Sequence, residues 1–148
     1  MNIDYTLNLP TARVPTKGTP GAAGFDLYAA AIQFDFAKNQ IIVDIGISTS
    51  FDPAYVMLIF GRSGLAMKHG LRPANGVGVV DSDYRGPIKV ILYCDQPDAN
   101  LIELVKVGDR VAQAVFMPIA AAQFGLPYPP GLLPESVRGE GGVGSTGQ

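Results

Sequence analysis

The sequence is short of the residues on which several kinds of chemistry depend. A single cysteine, Cys94, cannot form an internal disulfide and reads as a small buried hydrophobe, compatible with a reducing compartment. A single histidine leaves little for a serine hydrolase: Ser63 sits in GRSGL rather than G-x-S-x-G, and His69 follows six residues later on the same short helical stretch. Charged residues make up only 16% of the chain, with a net charge of −2 at pH 7. There is therefore no general electrostatic footprint for nucleic acid, and any anionic ligand must be held by local groups. No apolar run approaches the ~18 residues needed to span a bilayer, and the opening MNIDYT lacks the basic region that begins a secretory signal. These absences lead us to expect a soluble, intracellular, cytoplasmic protein with neither a membrane nor a nucleic-acid partner. No fixed-period repeat and no linker divides the chain.

Glycine and proline are abundant, at 18 and 12 of 148 residues, and 47% of the chain is hydrophobic. That is enough for one domain with a real core. Short alternating segments recur at 4–9, 25–29, 40–44, 46–51, 55–60, 76–80, 87–93, 101–104 and 109–119, separated by turn signals. The pattern predicts an all-β sandwich or barrel. Only 64–69 reads as a helix, with Ser63 as its N-cap and Gly70 as its stop.

The stretch NGVGVVDSDYRG at 75–86 combines an apolar strand with carboxylates, a tyrosine and an arginine. Val77, Val79 and Val80 call for burial; Asp81, Ser82 and Asp83 do not. With the β-branched return run at 88–93, it predicts a hairpin with Asp81 and Tyr84 near its open end. The segment admits three readings. It can be a polar turn. It begins like a calcium loop, but the fifth position is Arg85 and the twelfth is Leu92 rather than a bidentate Glu. It can also present a general base beside a pocket floored by strand backbone, which requires phosphate-binding partners elsewhere.

Such partners are present. Asp26, between Phe25 and Leu27, must face away from both, either to solvent or into a polar site. Arg62 brings a planar, permanently charged fork to the start of the short helix, whose first N–H groups suit an anion. On 110–115, alternation places Arg110, Ala112 and Ala114 on one face and Val111, Gln113 and Val115 on the other, so Gln113 is either a structural hydrogen-bonder or a ligand contact. The last 24 residues contain eleven Gly or Pro. They read as a flexible arm in which Arg138, backbone amides and two hydroxyls can wrap a polyphosphate, without the lysine or following helix of a P-loop.

Five stretches in order, AGFDLYA (23–29), RSGLA (62–66), 75–86, GDRVAQ (108–113) and RGEGGVGSTG (138–147), resemble the homotrimeric dUTP pyrophosphatases, or dUTPases. The resemblance implies a jelly-roll-like β domain over 1–124 and an arm, 125–148, closing over the active site of another subunit. It also implies hydrolysis of dUTP to dUMP and pyrophosphate, supplying dUMP for thymidylate synthesis and keeping uracil out of DNA. On this carry-over, Asp81 activates the water that attacks the α-phosphorus, and Tyr84 packs on the deoxyribose. Asn75, Gly78, Val79 and Val80 read the uracil, with Lys89 nearby. Arg62, Ser63, Gly64 and Gln113 hold phosphates from a second chain, and Arg138, Ser145 and Thr146 from a third. Mg²⁺ is expected on the substrate phosphates and water without direct protein ligands, and Asp26 helps orient that water.

Two positions depart from the family pattern. Gly61 stands where proline is usual, which implies only a local change in stiffness. Val143 stands where an aromatic usually covers the base, and valine offers contact area without a π-face. Within the same fold the rival activity is dCTP deamination, against which Asp81 followed by Tyr84 favours phosphate hydrolysis. A nucleotide-sensing protein is the non-enzymatic rival, against which Asp81, Arg62 and Gln113 together favour turnover.

Overall fold

Short β-branched and alternating runs punctuated by glycine and proline produce a fold made almost entirely of strands, as a computed structural model of the chain describes for residues 1–137. In chain order the elements are β1 (Asp4–Leu7), β2 (Phe25–Tyr28), β3 (Ala31–Asp35), a 3₁₀ turn (Phe36–Lys38), β4 (Gln40–Asp44), β5 (Ile47–Ser50) and β6 (Tyr55–Gly61). Then follow α1 (Ser63–His69), β7 (Leu71–Pro73), β8 (Gly78–Val80), β9 (Lys89–Cys94), α2 (Leu101–Leu104) and β10 (Arg110–Pro118). Two four-stranded sheets, ordered β2-β10-β6-β8 and β3-β4-β9-β7, are accompanied by the two-stranded pair β1-β5. Every pairing among them is antiparallel. This is the all-β, jelly-roll-like architecture expected.

The core is formed by residues that alternate inward along these strands. Leu27, Ile41, Val43, Ile45, Ile47, Met57, Ile59 and Leu92 are all essentially inaccessible, and Cys94 joins them as a buried thiol. Fully burying such aliphatic side chains stabilises by about 1.5–3 kcal/mol each relative to leaving them exposed. Among the described residues no helix is long and apolar enough to cross a membrane.

Several expectations require correction. The segment 101–104 is helix α2, not a strand. Leu101 and Val105 are buried and Leu104 packs against the core, an i, i+3, i+4 spacing that belongs to a helix. Strands β3 and β7 lie outside the expected segments. β3 returns into β4 through Asn39, whose φ of 53° supplies the left-handed turn residue. The helix α1 starts at Ser63 rather than after it: Arg62 occupies the N-cap position in extended conformation, and no side chain caps the first turn. Gly70 does end it, at φ 61°.

The 75–93 stretch is not a hairpin. β8 pairs with β6, whereas β9 pairs with β4 and β7 in the other sheet. Val80 and Val90 both pack into the core, so the two strands face each other across it and 81–88 crosses between the sheets. Ile88 anchors the crossing, donating to Ile47 O at 2.9 Å and accepting from Ile45 N at 3.0 Å. Nor are all three valines buried: Val79 is 65% exposed and Val77 39%.

Candidate active site

The crossing from sheet to sheet leaves a cleft of about 520 Å³ lined by Val79, Val80, Asp81, Tyr84, Pro87, Ile88 and Lys89. Asp81 stands just beyond the end of β8, exposed, and its carbonyl accepts from Tyr84 N at 3.2 Å. A second cleft of about 290 Å³ contains Asn75 and Gly78 and shares Lys89 with the first. The residues expected to hold base and sugar thus lie in two hollows that meet at one lysine. Gly76, at φ 74°, turns the chain between Asn75 and Gly78 and donates its N–H to Pro73 O at 3.1 Å.

Arg62, Ser63, Gly64 and Gln113 line a separate cleft of about 450 Å³, together with Gly61, Leu65, Lys68 and His69. The β6-to-α1 junction creates it. The Arg62 carbonyl accepts from Leu65 N and Ala66 N at 3.1 Å each, which closes the first turn around the cleft. Ser63 and Gly64 occupy that turn, where backbone N–H groups have no intrahelical acceptor. Lys68 and Arg62 make the hollow cationic. Gly61 is set by more than stiffness, because a Cβ there would come within 2.8 Å of Pro73 Cδ.

Beneath this cleft Asp26 is 5% exposed and surrounded by donors. Arg110 Nη1 binds its Oδ2 at 3.2 Å, and Gln113 Nε2 reaches its Oδ1 at 3.4 Å. Arg62 Nε lies 3.2 Å from the same Oδ1 but off the N–H direction, so it forms an ion pair without a hydrogen bond and the buried Nε keeps an unused donor. Arg62 Nη1 donates to Arg110 O at 3.1 Å. Of the two environments open to Asp26, the polar site is realised. Of the about four acceptor positions of the carboxylate, Arg110 and Gln113 each take one by hydrogen bond. Asp26 therefore first holds the arginine and the glutamine in place. Among the described residues no three His, Cys, Asp or Glu side chains gather into a cation cage, and the cleft lined by Arg62 and Lys68 suits a Mg²⁺ carried in on anionic ligand groups.

Arg110 is a site residue that strict alternation misplaces. A register shift between Arg110 and Ala112, where β10 meets β2, sends Val111 into the core and brings Arg110 to the side of Asp26 and Gln113. Gln113 consequently shares its face with Arg110 and Val115 but not with Val111. Its occurrence three residues before Gln113 in GDRVAQ was the available signal. Arg138, Val143, Ser145 and Thr146 lie outside the described residues.

The structure therefore brings Asp81, Tyr84 and Lys89 together, and brings Asp26, Arg62 and Gln113 together, but the 520 Å³ and 450 Å³ clefts have no lining residue in common. The chain's relatives share this frame. The dUTPase family model matches residues 11–147. A deoxyuridine 5′-triphosphate nucleotidohydrolase of Desulfitobacterium hafniense (strain DSM 10664 / DCB-2) is 43% identical over 150 aligned residues, covering 99% of this chain and 95% of the relative. One from Yarrowia lipolytica is 43% identical, covering 92% and 83%. In fold, the chain is similar to the Staphylococcus bacteriophage 80alpha dUTPase with dUPNHPP, at a TM-score of 0.80, 24% identity and 99% coverage of both chains. It is also similar to a mutant dUTPase of phage phi11 of S. aureus described as coordinating a structural Mg(II) ion, at a TM-score of 0.70, 20% identity and coverage of 86% and 97%. With a family match that spans nearly its whole length and relatives at this level of identity, the chain belongs to the dUTPase family.

Proposed function

We propose that the protein hydrolyses dUTP to dUMP and pyrophosphate, with Asp81 as the general base for a water that attacks the α-phosphorus. The observation that carries this reading is the placement of Asp81 on one cleft with Tyr84, while the cationic Arg62 and the neutral donors Ser63, Gly64 and Gln113 line another. A carboxylate at the cleft wall takes the proton from water as the new P–O bond forms. Tyr84 stands against the deoxyribose, while Asn75, Gly78, Val79 and Val80 contact the uracil and Lys89 lies beside both. Mg²⁺, when bound through the phosphates and water, neutralises charge on the leaving pyrophosphate.

Because the two clefts share no wall, the reading extends to a homotrimer in which Arg62, Ser63, Gly64 and Gln113 of one chain face Asp81 of another. The arm 125–148 of a third chain brings Arg138, Ser145 and Thr146 to the triphosphate and Val143 to the base. Asp26 supports this arrangement by fixing Arg62, and an acceptor position left on it can orient a water near the metal. A cytoplasmic location belongs to the same reading, as does the role of supplying dUMP and limiting uracil in DNA. Hydrolysis in ¹⁸O-labelled water tests the reaction: the label is expected in dUMP. Label in pyrophosphate would mean attack at the β-phosphorus and would overturn it.

A further inference from the structure

We infer that Gly86 is a specificity-determining residue for the sugar, because its missing side chain is what lets the Tyr84 ring lie back over the loop at the cleft wall. The inference rests on the reading of Tyr84 as the contact that excludes a 2′-hydroxyl. A Cβ built on Gly86 would fall onto the Tyr84 phenolic oxygen and come within 2.5 Å of Cζ and 2.9 Å of Cε2; these are the three nearest atoms it would meet. The backbone is not the reason for a glycine here. The left-handed glycines among the described residues are Gly46, Gly70, Gly76, Gly108 and Gly131, so φ at 86 does not call for glycine, and the first atoms an L side chain there would meet all belong to Tyr84.

Ring and backbone respond differently to such a side chain. The loop backbone is tied down by Arg85, whose Nη1 reaches Ser82 O at 2.7 Å, Thr49 O at 3.2 Å and Tyr84 O at 3.3 Å. The ring is held more lightly, by one hydrogen bond from its hydroxyl to Pro87 O at 3.2 Å. It is 46% exposed and free to turn about its two side-chain torsions. A methyl group at 86 therefore moves the ring off Gly86 and breaks the bond to Pro87, while Asp81 at the far end of the loop keeps its place. The ring leaves the position in which it bounds the cleft, and the repulsive element of specificity set by that position is lost.

The test compares kcat/KM for dUTP and UTP in the full-length protein, Gly86→Ala, Tyr84→Ala and the double variant, with thermal unfolding of all four. Gly86→Ala is expected to narrow the dUTP/UTP ratio by about tenfold or more, the scale on which small pocket changes act. The double variant is expected to go no further than Tyr84→Ala alone, since residues that act through one another are not additive. Gly86→Ala is also expected to lower the unfolding midpoint of the wild-type chain while leaving that of Tyr84→Ala in place. Should Gly86→Ala alone fail to fold, recovery of folding in the double variant supports the same conclusion. An equal loss of stability in both backgrounds would overturn the inference, as would an unchanged ratio in Gly86→Ala where Tyr84→Ala narrows it. An unchanged ratio in Tyr84→Ala itself would instead remove the reading of Tyr84 on which the inference rests.

Discussion

At Asp81, exchanging one carboxylate oxygen for an amide preserves the size of the side chain and removes its capacity to accept a proton from water. Asp81→Asn is expected to lower kcat by about 10²–10⁴, with a smaller effect on KM. Steady-state kinetics on dUTP checks this, and a drop of less than about tenfold would assign the base elsewhere. Asp26 works differently although it is the same kind of residue. Its carboxylate is buried among Arg62, Arg110 and Gln113, so its charge serves to hold donors rather than to move a proton. Residue type and local motif point to Asp81, Arg62 and Gln113, and each of them lines a cleft. Type and motif were not enough to show which of two aspartates faces the open cleft, because that depends on strands brought together from distant parts of the chain.

Among the elements, β10 and the β4–β5 turn show how local backbone geometry positions the site. The bulge in β10 adds one residue against β2, so Val111 enters the core and Arg110 joins Asp26. Sequence alternation cannot reveal this, since a one-residue shift exchanges every face after it. At the β4–β5 turn Gly46 has φ 71° and donates its N–H to Asp44 Oδ1 at 2.7 Å. A Cβ there would lie 2.8 Å from both Ala12 Cβ and Ala30 Cβ, and neither methyl is the end of a flexible side chain. Gly46→Ala is expected to destabilise the fold by about 1–3 kcal/mol through strain and overpacking. Urea titration should show a lower midpoint at an unchanged slope; an unchanged midpoint would mean that the turn can relax.

For the whole molecule the decisive feature is the separation of the base-bearing cleft from the cationic one. The segment after β10 is also exposed in the single chain: Phe124, Leu126 and Leu133 have most or all of their surface accessible. On the proposed homotrimeric reading, in which the arm crosses to a neighbouring site, such apolar residues are expected to be covered. Asp81→Asn and a chain ending after Pro134 are each expected to be nearly inactive as homotrimers. Refolded together, they should regain partial activity, because some mixed sites combine an intact Asp81 with an intact arm. Activity of the mixture no greater than the sum of its parts, or a monomer by light scattering, would contradict shared sites.

The order of residue types along the chain determined the all-β class, most strand positions, the helix stop at Gly70 and the group of motifs that marks the family, because periodicity, turn chemistry and motif residues are local properties. Helix α2 was also within reach, as Leu101, Leu104 and Val105 have helical spacing, but four residues are too few for period to separate helix from strand. Only tertiary structure decided that 75–93 crosses between two sheets instead of folding back as a hairpin. The apolar runs at its ends satisfy either arrangement, and the choice rests on which distant strands, β6 for one and β4 with β7 for the other, offer unpaired edges. Long-range pairing of β10 with β2 and β6 likewise sets Asp26 beneath Arg62, and no local pattern encodes that contact.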